Sequence, residues 1–179
     1  CPIMTRFKFL ISHPVPVPAW DQTHGVEQTL EIVRSIGADT PDRRLVYLVR
    51  EEERTSLREK IIHWGIQDKP CVVFQVGGGR RSGWRDWPVE HYVKLGRRLL
   101  AEYEVQLILL GGDDLCAKAA GIRASLPPTT INLAGKLSLA ESAALLSLSK
   151  ILVSTDTGIM HLGFAVGVDA LALIHCNNP

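Results

Sequence analysis

Residues 151–166, ILVSTDTGIMHLGFAV, decide the fold class of this chain. A short apolar run is followed by a polar turn, and a second apolar segment with helical spacing follows Gly158. The same order of strand, loop and helix recurs from residue 70 to the end of the sequence. Strict alternation of this kind predicts an α/β fold, in which a parallel sheet carries helices on both faces.

The apolar patterns predict the individual elements of this α/β domain. The predicted strands are 71–76, 105–110, 130–132, 151–153 and 170–174, and the predicted helices are 88–102, 113–124, 138–147 and 159–166. Ser138 and Glu141 form a capping-box pattern at the start of the third helix. Before residue 70, the sequence predicts a helix at 25–36, a strand at 45–49 and a charged helix at 51–64.

Composition excludes several classes of protein. The 20 basic and 19 acidic residues give no general attraction to nucleic acid, and 46% hydrophobic residues indicate a globular protein. Four cysteines without a CxxC pair favour neither a zinc cage nor a disulfide framework. Since no apolar run approaches eighteen residues, we expect a cytoplasmic protein, while peripheral membrane contact stays open.

Four loops follow the predicted strands, and ligands of open parallel sheets bind beyond the carboxyl ends of strands. Loop 77–85, GGGRRSGWR, combines glycines with guanidinium groups, which both suit phosphate oxygens. Its spacing matches neither GxxxxGK[ST] nor GxGxxG. The residues predicted to bind an anion here are Gly78, Gly79, Arg80, Arg81 and Arg85. The alternative is a solvated basic loop.

The Asp-Thr-Gly triplet in loop 154–158 also occurs in aspartic proteases. Those enzymes need a second carboxylate to share a proton, and no second such triplet exists in this chain. Thr157 and Gly158 instead precede a predicted helix, whose N-terminus favours a pyrophosphate. His161 follows within the first turn and can face the same ligand, or it can pack on the sheet.

The two remaining loops carry an acidic pair and a lysine. Asp113 and Asp114 follow a double glycine, where carboxylates can accept hydrogen bonds from ribose hydroxyls. They can equally start the next helix as capping and first-turn acids. Lys136 can add positive charge near a phosphate, or it can be a solvated surface lysine.

Residues 132–173, NLAGKLSLAESAALLSLSKILVSTDTGIMHLGFAVGVDALAL, resemble glycosyltransferase family nine, the lipopolysaccharide heptosyltransferases. The resemblance implies the C-terminal half of a GT-B glycosyltransferase, which has two facing Rossmann-like domains. Residues 70–179 would be the nucleotide-sugar-binding domain, truncated at its C-terminus. Residues 1–69 would be the closing part of the N-terminal domain and the connection, with most of that domain missing.

The resemblance also implies site residues. The donor diphosphate and sugar would be bound by Asp156, Thr157, Gly158 and His161. Arg85 stands where the family usually has a lysine in Lys-x-Trp-Pro. Asp113 or Asp114 would hold the ribose, and Leu137 lies at the turn whose backbone meets the base. The family's general base belongs to the N-terminal domain, so the catalytic residue of this chain is unknown.

The function implied by the resemblance is transfer of a heptose or related sugar from a nucleoside-diphosphate sugar, typically ADP-heptose, to a lipopolysaccharide core acceptor. The reaction would be inverting, with no cofactor and no metal, and its partners would be the donor and a lipid-linked saccharide. No obligate protein partner is implied, and this chain alone would bind the donor without transferring it. The alternatives are a sugar-nucleotide epimerase of the same fold and a non-catalytic nucleotide-sugar-binding module. Asp169, which replaces a common proline, leaves the sugar's identity open.

Overall fold

The structure is a computed structural model, which describes residues 12–16, 23–66, 68–78 and 86–174. The chain divides into two compact units between residues 44 and 45. In the first unit, helix α1 spans Gly25–Arg34 and begins after His24, whose Nδ1 accepts a hydrogen bond from the Val26 amide at 3.3 Å. It ends two residues before its predicted limit. Ion pairs join Arg34 to Glu31 and Asp39 on the surface of this unit.

The second unit begins with an extended segment and a helix, α2, at Glu51–Trp64, where the charged helix was predicted. The predicted strand at 45–49 is wrong, because this segment pairs with no strand of the described chain. The Tyr47 amide donates instead to the carbonyl of Ala165 at 3.0 Å. Tyr47 and Val49 pack against the core, whereas Leu48 is 82% exposed. The alternation of half-buried and exposed side chains resembles that of a strand, although the hydrogen-bond partner, Ala165, belongs to a helix.

A parallel sheet of five strands forms the centre of the second unit, as predicted. The strands are β1 (Cys71–Gln75), β2 (Gln106–Leu110), β3 (Ile131–Asn132), β4 (Ile151–Thr155) and β5 (Ala170–Leu173). Their order across the sheet is β3-β2-β1-β4-β5, and every pairing is parallel. In register, Gln75 lies opposite Leu110 of β2 and Ser154 of β4.

Helices cover both faces of this sheet, which confirms the predicted layers. The helices between the strands are α3 (Val89–Glu102), α4 (Cys116–Ala124), α5 (Leu139–Ser147) and α6 (Gly158–Val166), and a 3₁₀ turn at Asp113–Leu115 precedes α4. Tyr92 of α3 and Ile122 of α4 pack with Phe74 on one face. Leu145 of α5 and Leu162 of α6 pack on the other face. Burial of both faces explains why the strand sequences are continuously apolar.

The capping box at the start of α5 also contacts α2 through Glu141. Ser138 Oγ accepts a hydrogen bond from the Glu141 amide, and Glu141 Oε2 accepts one from the Ser138 amide at 2.9 Å, as predicted. Glu141 Oε1 accepts from Ser56 Oγ at 2.7 Å and pairs with Lys60. Residues 45–66 therefore pack in one compact unit with the sheet. The assignment of residues 1–69 to the end of a preceding domain stays a prediction.

Candidate functional site

The order of the strands defines where a ligand can bind. From β1 the chain moves outward through β2 and β3, whereas β4 and β5 lie on the other side of β1. The helix after β1 packs on one face of the sheet and the helix after β4 packs on the opposite face. In open α/β sheets the ligand crevice lies at such a switch point, outside the carboxyl ends of the two strands concerned, which here are β1 and β4.

Helix α6 begins at this crevice. Thr157 is its N-cap, with extended backbone (φ −144°, ψ 166°), and its Oγ1 lies 3.4 Å from the Met160 amide and 3.2 Å from Ser154 Oγ. A Cβ built on Gly158, the first helical residue, meets no described residue within 4 Å beyond its chain neighbours and the backbone of its own helix. The first amides of a helix have no intrahelical acceptor, so this open position suits an anion.

Asp156 and His161 flank the start of the same helix. The Nε2 of His161 lies 3.7 Å from Asp156 Oδ1, and the two side chains are 57% and 43% exposed. The His161 ring also makes an edge contact with Phe164, at 6.5 Å between centroids. The two side chains are thus accessible together, and they form an ion pair when the imidazole is protonated.

The loop after β1 leaves the sheet through two glycines. The side-chain amide of Gln75 donates to the Gly77 carbonyl at 2.7 Å, and the main-chain amide of Gly78 donates to Asp86 Oδ1 at 2.9 Å. Gly77 has φ +153°, and a Cβ there would lie 2.8 Å from the Asp86 carboxylate. The amide of Gly78, predicted to face an oxyanion, therefore meets a carboxylate of the protein itself. The predicted residues Gly79, Arg80, Arg81 and Arg85 lie outside the described residues.

Asp86 is held in turn by Lys118 of α4, and sequence analysis identified neither residue. The Nζ of Lys118 lies 2.9 Å from Asp86 Oδ2 and 3.3 Å from the Trp87 carbonyl, and 5.5 Å from the centre of the Tyr92 ring. The Tyr92 hydroxyl donates to the Gln75 carbonyl at 3.0 Å. Burial raises the pKa of Tyr92, and the negative charge of Asp86 raises it further, so the phenol stays a hydrogen-bond donor.

The loops after β2 and β3 are tied to each other. The Gly135 amide donates to the Gly111 carbonyl at 2.9 Å. Gly135 has φ +71°, and a Cβ there would lie 2.6 Å from Cys116 Sγ and 3.0 Å from Asp113 Oδ1. Because the Val76 amide also donates to the Leu110 carbonyl at 3.0 Å, backbone hydrogen bonds connect the exits of β1, β2 and β3. The structure thus brings these loops to one edge of the sheet.

The site residues predicted in these two loops differ in local structure and in burial. Asp113 and Asp114 form the 3₁₀ turn after Gly112, and neither that turn nor α4 has a side-chain cap. Of the structural alternative, the role as a helix cap is therefore not seen, and the role as acids in the first turn remains. Lys136 is exposed, whereas Leu137 is half-buried against the core.

Two buried oxygens at the ends of β1 and β4 were also missed by sequence analysis. Gln75 Oε1 and Thr155 Oγ1 have no hydrogen-bond partner in the described part of the chain, and these residues are 4% and 1% exposed. A buried oxygen without a donor costs about 1–3 kcal/mol. Both oxygens therefore lie where a water molecule or ligand donor would be stabilising.

Two further features concern the described residues alone. Within these ranges, no three or more His, Cys, Asp or Glu side chains gather in a way that could hold a metal ion. No helix in the same ranges combines the length and apolar character needed to cross a bilayer.

The five-stranded order, the switch point and the open helix start beyond β4 define a Rossmann-like α/β domain. The chain belongs to glycosyltransferase family 9 (heptosyltransferase), whose model matches residues 6–179. Lipooligosaccharide heptosyltransferase 2 of Haemophilus influenzae is 34% identical over 144 residues, which are 78% of this chain and 38% of that protein. The chain thus spans less than half the length of this relative.

Solved structures give the same fold. A family 9 glycosyltransferase from Veillonella parvula superposes with a TM-score of 0.77 at 21% identity, over 88% of this chain and 44% of that one. The Escherichia coli heptosyltransferase WaaC, solved with ADP-2-deoxy-2-fluoro heptose, gives a TM-score of 0.66 at 25% identity, over 93% of this chain and 49% of that one.

Proposed function

We propose that this chain is the donor-binding half of a heptosyltransferase, which transfers a heptose from ADP-heptose to a lipopolysaccharide core acceptor. Membership of the family supports the class of reaction. The name of the Haemophilus influenzae relative supports the acceptor class, and the ligand bound to WaaC supports the nucleotide sugar. The proposal includes a cytoplasmic location with peripheral membrane contact, and a reaction without cofactor or metal.

The observation that carries this proposal is the start of α6 at the switch point. The space around Gly158 is open, and Asp156 and His161 lie beside it. A diphosphate in this position would accept hydrogen bonds from the first amides of the helix and gain from its dipole. Negative charge grows on the nucleoside diphosphate as it leaves the sugar, so these same groups would stabilise the transition state.

A substitution of Gly158 tests whether a ligand occupies this space. The Gly158→Ala variant should fold normally, because its methyl group meets no side chain of the described residues within 4 Å other than those of its chain neighbours. If the donor diphosphate lies against Gly158, the methyl group should weaken ADP binding by about tenfold or more, equivalent to about 1.4 kcal/mol. Calorimetric titration with ADP measures the change, and UDP and GDP test the choice of base.

Gly121→Ala is the matched control for this substitution. Gly121 is exposed in α4, and a Cβ built on it also meets nothing within 4 Å. Its replacement should raise the free energy of unfolding by up to about 1 kcal/mol and leave ADP binding unchanged. Equal ADP affinity in Gly158→Ala, Gly121→Ala and the unaltered chain would reject the α6 position. Absence of binding by all three nucleotides would reject the proposed function.

A further inference from the structure

Asp86 and Lys118 form an ion pair at the exit of β1, beside the crevice. Their side chains are only 18% and 19% exposed. Lys118 belongs to α4, whereas Asp86 precedes α3, so the pair connects two helices that follow different strands. Asp86 also accepts the hydrogen bond of the Gly78 amide. The pair therefore contacts the glycine turn directly.

We propose that Asp86 and Lys118 are a positioning pair, which holds the Gly77–Gly78 turn in the shape that donor binding requires. The inference rests on the proposed function. A Cβ on Gly77 would lie 2.8 Å from the Asp86 carboxylate, which also accepts the hydrogen bond of the Gly78 amide at 2.9 Å. The Gln75 side chain donates a hydrogen bond to the carbonyl of Gly77 at 2.7 Å. The carbonyl of Gly77 and the amide of Gly78 are thus both set by neighbouring side chains.

Burial of this pair is not explained by stability alone. Two charges that leave water lose much of their hydration, and an apolar pair of similar volume often gives equal or greater stability. A side-chain oxygen is needed here because it accepts a hydrogen bond from the Gly78 amide, which an apolar side chain cannot do. Lys118 in turn offsets the negative charge that Asp86 places beside a crevice for a diphosphate.

This second role of Lys118 has a measurable consequence. An unpaired carboxylate several ångströms from a bound diphosphate repels it by about 1 kcal/mol or more at the effective dielectric constant of a protein surface. Lys118→Met keeps much of the side-chain length and leaves Asp86 without a cationic partner among the described residues. We therefore expect Lys118→Met to weaken ADP binding by about five- to tenfold in calorimetric titration.

Three further variants separate positioning from a purely structural role. Lys94→Met removes the same charge from an exposed position of α3, and its ADP affinity should stay within about twofold of the unaltered chain. Lys118→Arg keeps the charge and should bind ADP nearly as well as the unaltered chain. Adding Asp86→Asn to Lys118→Met removes the unpaired charge while its amide oxygen can still accept from Gly78, so most of the ADP affinity should return.

The outcomes distinguish this inference from the proposed function. Thermal unfolding of each variant establishes the folded fraction before titration. If Lys118→Met binds ADP as tightly as Lys94→Met while Gly158→Ala binds it weakly, the positioning pair is rejected and the proposed function stands. Failure of Asp86→Asn to restore the ADP affinity of Lys118→Met would also reject it. If the unaltered chain binds no ADP, the proposed function and the role of the pair are both rejected.

Discussion

Replacement of Glu141 by alanine should lower the free energy of unfolding by about 2–4 kcal/mol. Glu141 is 9% exposed and joins α2 to the start of α5. Its loss removes the acceptor of Lys60, the acceptor of Ser56 and one half of the capping box. The Lys60 side chain is 37% exposed, so water can recover part of its hydration and the cost stays below that of a fully buried charge. Urea unfolding measures the difference.

The pH dependence of stability tests the same interaction. Burial alone would raise the pKa of Glu141, but hydrogen bonds from Lys60, Ser138 and Ser56 outweigh it and lower the pKa to about 2. A folded pKa below the unfolded value means that the contribution is complete above about pH 5 and is lost as the pH falls toward 2. The stability difference between the unaltered chain and Glu141→Gln should therefore shrink across this window.

Glu102→Gln supplies the control. Glu102 pairs with Arg98 one turn away on α3, and their side chains are 49% and 68% exposed. An exposed pair of this kind contributes about 0.3–0.5 kcal/mol, and its loss should barely change the acid dependence. An equal loss of stability in Glu102→Gln and Glu141→Gln would contradict the assigned role of Glu141.

The fold was predictable because its strands are buried on both faces. Continuous apolar runs such as Leu107–Leu110 mark strands of a parallel sheet without any knowledge of their neighbours. Prediction fails where the structure of a segment depends on which element packs beside it. The prediction ended β4 at Val153, because Ser154 and Thr155 are polar, yet both are buried at the end of the strand. The strand prediction at 45–49 was wrong for the opposite reason. The side chains alternate in exposure as in a strand, but no strand of the described chain lies beside them.

The candidate site was predictable only where local sequence carries the chemistry. Thr157 and Gly158 lie at the start of α6 because the strand, turn and helix are consecutive in the sequence. Asp86 and Lys118 are 32 residues apart, and each occurs in a segment where a charged residue usually faces water. Their contact depends on how α4 packs on the sheet, and this packing cannot be predicted from the residues around either position.

Replacement of Gly135 by alanine should lower the free energy of unfolding by about 3 kcal/mol, from two separate causes. Gly135 has φ +71°, a left-handed conformation that costs an L-residue about 1–2 kcal/mol. The new methyl group would also lie 2.6 Å from Cys116 Sγ and 3.0 Å from Asp113 Oδ1. Because Gly135 bonds to Gly111, the disturbance should spread to the loop after β2.

Two variants separate strain of the backbone from the steric clash. Gly65 ends α2 at φ +66°, and a Cβ on it meets nothing within 4 Å, so Gly65→Ala should cost only about 1 kcal/mol. Cys116 is exposed, and Cys116→Ala alone should be nearly neutral. Combined with Gly135→Ala, it removes the sulfur and should recover much of the difference between the two glycine variants.

The Gly135→Ala/Cys116→Ala double variant and Gly65→Ala also test the proposed donor site. Relief of the clash through Cys116→Ala leaves the contact of the new methyl group with Asp113, a predicted ribose ligand. ADP affinity should therefore be lower in Gly135→Ala/Cys116→Ala than in the unaltered chain even where stability returns, whereas Gly65→Ala should bind ADP as the unaltered chain does. Recovery of both stability and ADP affinity in the double variant would mean that Asp113 does not contact the nucleotide, and the ribose would then have to be held by another group at this edge of the sheet.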